Sequence, residues 1–131
     1  MIDFTRPTAH PRARAWRWLA FIALGIYLLL LIYFSLMPTV PSPAEVSDKI
    51  LHFIAYGGLT ALAAAAWPRL ALLWLLLGVS AVGALLELMQ GLLSIGRTAS
   101  FGDQLANMSG AALALLIWIC LATLYSKLRR Q

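Results

Sequence analysis

Asp48, Lys49, His52 and Tyr56 are spaced so that, at about 100° per residue, they share a helical arc of roughly 100°. An aspartate one turn before a histidine can orient the imidazole, and the imidazole can serve as general acid or base. Further along the chain, Glu87 and Gln90 are three residues apart and Asp103 and Asn107 are four apart, so each pair lies on one side of a helix. Arg97 stands between the two pairs. Glu87 offers a second acid–base group. Lys49 and Arg97 can hold a phosphate or carboxylate, the arginine in bidentate fashion. Asn107 and Arg97 can steady developing negative charge. Hydrolysis or group transfer suits this set, although no Ser-centred nucleophile motif accompanies it.

Asp48, His52, Glu87 and Asp103 can in principle ligate a metal. Only one histidine is within reach, however, and the i, i+4 histidine pair of a zinc helix is absent. Neither a metal nor a cofactor is therefore expected. Each residue also has a plainer reading. Asp103 can be the capping acid of Ser100-Phe101-Gly102-Asp103. Asp48 and Lys49 can mark a membrane boundary, Tyr56 can be packing, and Gln90 can be interhelical glue. Glu87 can be half of a structural ion pair with Lys49, Arg97 or His52. The clustering, more than any one member, makes His52, Glu87 and Asp48 the candidate catalytic residues. Lys49, Tyr56, Gln90, Arg97, Asp103 and Asn107 are the candidate ligand contacts.

The elements that must position these residues are membrane helices. Of the 131 residues, 62% are hydrophobic and 11% charged, against about 25% charged in soluble domains. Lipid can solvate what so short a chain cannot bury. A span needs about 20 apolar residues, and four segments qualify, at about 18–37, 49–66, 70–93 and 103–125. They predict an all-α, polytopic four-helix bundle forming a single domain over 1–131. Met37-Pro38 and Trp67-Pro68 close the first two spans. The first apolar run is longer than that of a signal peptide and no small-residue cleavage site follows it, so it reads as a retained helix. Ser42-Pro43-Ala44-Glu45 reads as a capping box that would start helix two above the membrane.

The net charge of +5 sits at helix ends, which argues for topology rather than nucleic-acid binding. With the N-terminus inside, Arg6, Arg12, Arg14, Arg17, Arg69, Lys127, Arg129 and Arg130 are cytoplasmic, and only Lys49 and Arg97 are external. Eight bases against two place both termini in the cytoplasm. At about 1.5 Å per residue, His52 lies roughly 21 Å above Ala66 and Glu87 roughly 25 Å above Leu70. Three helices thus bring polar groups to one level in the outer half of the bilayer. An unpaired charge in hydrocarbon costs several kcal/mol, so these groups should face inward, into a shared pocket. Small residues recur every four positions at Gly57, Ala61 and Ala65 and at Ala106, Gly110 and Ala114, which fits tight internal packing or a homodimer contact. Cys120, the single cysteine, reads as packing.

At these residues the chain resembles the VanZ-like family. The matching stretches are Asp48-Lys49-Ile50-Leu51-His52-Phe53-Ile54-Ala55-Tyr56, then Glu87-Leu88-Met89-Gln90, then Arg97, Asp103, Asn107 and Gly110. They follow a pattern of D-K-x-x-H-x-x-x-Y, E-x-x-Q, R, D, N and G, over nearly half the chain. Each fragment is weak alone, and their order and spacing together are specific. The resemblance implies a multi-pass protein of the bacterial cytoplasmic membrane, linked to tolerance of teicoplanin, a lipoglycopeptide directed at peptidoglycan precursors. Three functions stay open. The site can bind or modify an outer-leaflet lipid, glycolipid or lipid-linked envelope precursor. It can be a membrane-embedded hydrolase or transferase. Or the polar network can only tie the bundle together while the protein works through a partner. A transporter fits worst, since four helices offer no repeat and the inner half lacks polar residues.

Overall fold

A computed structural model describes residues 11–38, 47–93, 99–128 and Arg130, with side chains from Arg14 onward. Arg97 and the Ser42–Glu45 box lie outside the described residues. Four helices follow one another: α1 (Pro11–Ser35), α2 (Asp48–Ala66), α3 (Leu72–Leu92) and α4 (Phe101–Leu128). No strand occurs among the described residues. All four helices are long and apolar enough to cross a membrane.

Their ends follow from local chemistry. α2 stops at Ala66, because Pro68 disfavours the helical conformation at Trp67, which sits at φ −120° and ψ 65°. At its other end Ser47 is extended, with φ −61° and ψ 138°, so α2 starts at Asp48 and does not run back through Ser47 to the Ser42 box. α4 is capped by Ser100, whose Oγ accepts the Asp103 N–H at 3.3 Å. α1 begins earlier than the apolar run, its basic first turns carrying exposed Arg14 and Arg17.

The bundle is inside-out. Leu29, Leu73, Trp74, Leu92 and Phe101 are largely exposed, whereas Thr60, Glu87, Gln90, Asp103 and Asn107 are buried. Water would reverse that distribution, while hydrocarbon favours it. Because lipid supplies no hydrophobic drive for helix association, close packing must do so. α2 is the hub, packing most extensively on α4 and also on α1 and α3. At the α2–α4 crossing a Cβ on Gly110 would collide with the Phe53 carbonyl, and one on Gly57 would stand 3.4 Å from the Gly110 carbonyl oxygen. The predicted small-residue stripes therefore pack internally at this level. Lower down, Ala61 and Ala114 line an apolar groove of about 470 Å³ between α2 and α4. α1 is tied on by Tyr27, whose hydroxyl donates to the Ala55 carbonyl at 2.8 Å.

Candidate functional site

The start of α2, the last turns of α3 and the start of α4 meet at one end of the bundle, called here the polar end. His52 is at the centre. Its side chain is 11% exposed, and three carboxylates surround it. Nε2 lies 3.7 Å from Asp48 Oδ2 and 4.0 Å from Asp103 Oδ2, and Nδ1 lies 3.9 Å from Glu87 Oε1. These separations are ion-pair distances, too long for hydrogen bonds. Among the described residues, the one hydrogen bond of the ring runs between Nδ1 and Asn107 Oδ1, at 2.9 Å.

A chain of amides decides which imidazole nitrogen carries the proton. The Ser80 carbonyl can only accept, so the Gln104 atom 3.2 Å from it is Nε2. Gln104 Oε1 then faces Asn107 at 3.5 Å and takes its Nδ2. Asn107 is left with Oδ1 toward the ring, and Nδ1 must donate. In the neutral imidazole the lone pair therefore sits on Nε2, directed between Asp48 and Asp103. Gly83 makes the relay possible, since a Cβ there would stand 2.9 Å from Gln104 Oε1 and 3.0 Å from Asn107 Nδ2.

Asp103 is buried, and its Oδ1 lies 3.8 Å from Lys49 Nζ. The lysine stem passes over Gly102, where a Cβ would stand 2.9 Å from Lys49 Cε. The Lys49 and Asp48 side chains, 62% and 51% exposed, form an exposed rim, called here the mouth, and Glu87, Asp103 and Asn107 are buried. Tyr56 is buried beneath His52 with its ring nearly parallel to the imidazole, centroids 6.4 Å apart. Glu87 Oε2 accepts the backbone N–H of Ser100 at 2.9 Å.

Most of the residues singled out in the sequence are thus brought together: Asp48, Lys49, His52, Tyr56, Glu87, Asp103 and Asn107. Gln90 is engaged elsewhere, donating to the Ser35 carbonyl at 2.7 Å and satisfying the C-terminal end of α1. The sequence reading passes over Gln104, Ser80 and Gly83. Gln104 carried a usable signal, three residues before Asn107 and so on its face. Ser80 takes part only through its carbonyl, which side-chain type does not report. The reading also sets a metal aside for want of a second histidine, yet one ligand atom each from Asp48, His52 and Asp103 lie within 4.8 Å of one another.

Fold and site together define a multi-pass helical membrane protein with a histidine–carboxylate cluster at one end of its bundle. Comparison of the chain with protein-family models, with curated proteins and with solved structures finds no match.

Proposed function

We propose that the protein binds and chemically modifies the headgroup of a membrane lipid or lipid-linked envelope precursor at the polar end of the bundle. The reading places it in the bacterial cytoplasmic membrane with both termini inside and the polar end at the outer surface. It also takes the chain as VanZ-like, on the order and spacing of its Asp-Lys-His-Tyr, Glu-Gln, Arg, Asp, Asn and Gly positions. The observation that carries the proposal is the setting of His52. Its Nδ1 is fixed by Asn107 at 2.9 Å, and its Nε2 is turned to a mouth flanked by Asp48 and Asp103, with Lys49 beside them. A network serving cohesion alone would gain nothing from aiming Nε2 at the exposed rim. Lys49 supplies a positive contact for an anionic headgroup, and the exposed apolar flanks of the helices leave the tail in the bilayer.

The test is to purify the chain in nanodiscs from cell membranes and measure lipid retained after exchange into phosphatidylcholine. Lys49→Ala should lose the retained lipid, whereas His52→Asn should keep it and lose its conversion. Retention and teicoplanin tolerance identical in wild type, Lys49→Ala and His52→Asn would sink the reading. A purely structural role has one observation in its favour, the unbroken relay from Ser80 through Gln104 and Asn107 to His52. On that reading His52→Asn lowers stability and leaves retained lipid unchanged.

A further inference from the structure

The geometry points to a divalent-cation site formed by His52 Nε2, Asp48 and Asp103, selective for an ion that accepts mixed nitrogen and oxygen ligands, such as zinc. The inference rests on the preceding reading only for the use made of the ion, because binding itself is measured without any lipid substrate.

Three electron-pair donors converge without bonding one another. Nε2 is 3.7 Å from Asp48 Oδ2 and 4.0 Å from Asp103 Oδ2, and the ligand atoms of all three residues fall within 4.8 Å of one another. Ligands held at about 2.0–2.2 Å from a tetrahedral zinc stand roughly 3.4 Å apart, so both His52 contacts must shorten by about half an ångström and the two carboxylates must close in from a separation within 4.8 Å. Donor chemistry agrees. The Asn107 carbonyl holds the proton on Nδ1, and this outer-shell bond is the one that fixes a metal-ligating histidine in its tautomer and ring orientation.

A second observation comes from Asp103. The residue is 8% exposed, and its Oδ1 is buried with no hydrogen-bond partner among the described residues. Lys49 Nζ stands 3.8 Å from that oxygen, beyond hydrogen-bond reach. A buried carboxylate whose Oδ1 has a long ion pair with Lys49 but no hydrogen bond among the described residues, and whose Oδ2 faces His52 Nε2 at 4.0 Å, can take a further cation. Glu87 adds a third carboxylate on the far side of the ring. An aspartate–histidine–aspartate set supplies three ligands and leaves a coordination position toward the mouth, the pattern of catalytic rather than structural zinc. Held there, the ion would replace a proton on Nε2 as the partner of the two carboxylates.

The chain, purified with a tag that binds no metal, reconstituted in nanodiscs and stripped with a chelator, is titrated with zinc by equilibrium dialysis. One ion per chain is expected. His52→Ala and Asp103→Asn should abolish saturable binding, and Asn107→Ala should weaken it about 10- to 100-fold, as loss of an outer-shell partner does. Cys120→Ser should leave it unchanged. Cobalt in place of zinc should give a visible spectrum that His52→Ala removes. Absence of saturable binding, or one-to-one binding indifferent to His52→Ala, overturns the inference. Should the His52 and Asp103 variants fail to fold, Lys49→Ala decides. Removing the competing ammonium beside Asp103 should tighten zinc several-fold, and unchanged affinity overturns the inference. A chain that binds no zinc, yet stops converting its retained lipid on His52→Asn, overturns this inference alone. One that binds zinc, yet retains the same lipid in every variant, overturns the proposed function alone.

Discussion

The Ser100 backbone N–H donates to Glu87 Oε2 at 2.9 Å, so a carboxylate on α3 caps the N-terminus of α4. In a capping box that donor is met from within the same helix, by the side chain three residues on. Here the residue three on is Asp103, and it faces Lys49 and His52 instead. Glu87 thus does the capping work that would have held Asp103 at the helix end, and Asp103 is released into the cluster.

This division predicts unequal effects at Glu87. Glu87→Gln keeps an oxygen able to accept the Ser100 N–H, so the start of α4 should hold. Glu87→Leu leaves a part-buried donor without this acceptor, at about 1 kcal/mol. Amide hydrogen exchange at Ser100 in nanodiscs reads the difference: protection near wild type for Gln, and markedly faster exchange for Leu. Equal exchange in both variants would show that Ser100 is capped by something else.

A second prediction concerns the α2–α4 crossing. Gly110→Ala forces the helices apart at the Phe53 carbonyl, and such overpacking costs about 1–3 kcal/mol. Gly78 has nothing within 4 Å of where its Cβ would go. Gly78→Ala should be neutral or slightly stabilising, since alanine favours helix by about 1 kcal/mol. Unfolding in mixed micelles compares the two. A Gly110→Ala variant as stable as Gly78→Ala would mean that the close approach does not hold the bundle.

The contrast between these glycines shows what the sequence could and could not disclose. Four apolar runs of spanning length, bounded by Pro38 and Pro68, are enough to read the helices, because hydrocarbon admits so few backbone solutions. The shared arc of Asp48, Lys49, His52 and Tyr56 is equally legible, since helical periodicity is fixed. What periodicity cannot report is which face meets which neighbour. Gly110 stands in a small-residue stripe and Gly78 does not, but only the structure shows that the Phe53 carbonyl stands opposite Gly110 and nothing opposite Gly78. Gln90 shares a side with Glu87, yet its amide is spent on Ser35 of α1. The span read from about 49 meets the observed start of α2 at Asp48, and the Ser42 box lies outside the described residues. Ser47 lies nearer the helix and adopts the extended conformation that starts it.

Asn107 carries a third prediction. With the relay intact, neutral His52 carries its proton on Nδ1, the less common tautomer of a free imidazole. Asn107→Leu removes the acceptor and should move the proton largely to Nε2. Nitrogen-15 shifts of labelled His52, recorded on metal-free protein, distinguish the two forms. Gly83→Ala should produce a partial version of the same change, because its methyl group would press on Gln104 Oε1 and Asn107 Nδ2. A wild-type ring without a proton on Nδ1 would contradict the relay.

The fourth prediction fixes the direction of the chain. The side chains of Arg14, Arg17, Arg69 and Lys127 lie toward the end of the bundle opposite His52, on the first turns of α1, the α2–α3 connection and the last turn of α4. Basic residues are retained on the cytoplasmic side, and each is drawn to an anionic inner surface by about 1 kcal/mol. The polar end should therefore face out. Cys120, the single cysteine, can be replaced by serine to give a blank background. Ser47 and Lys127 are both exposed, at opposite ends of the bundle. On intact cells a membrane-impermeant maleimide should label Ser47→Cys at once and Lys127→Cys only after permeabilisation. The reverse pattern would turn the cluster toward the cytoplasm, and a headgroup reached from outside could no longer be its ligand.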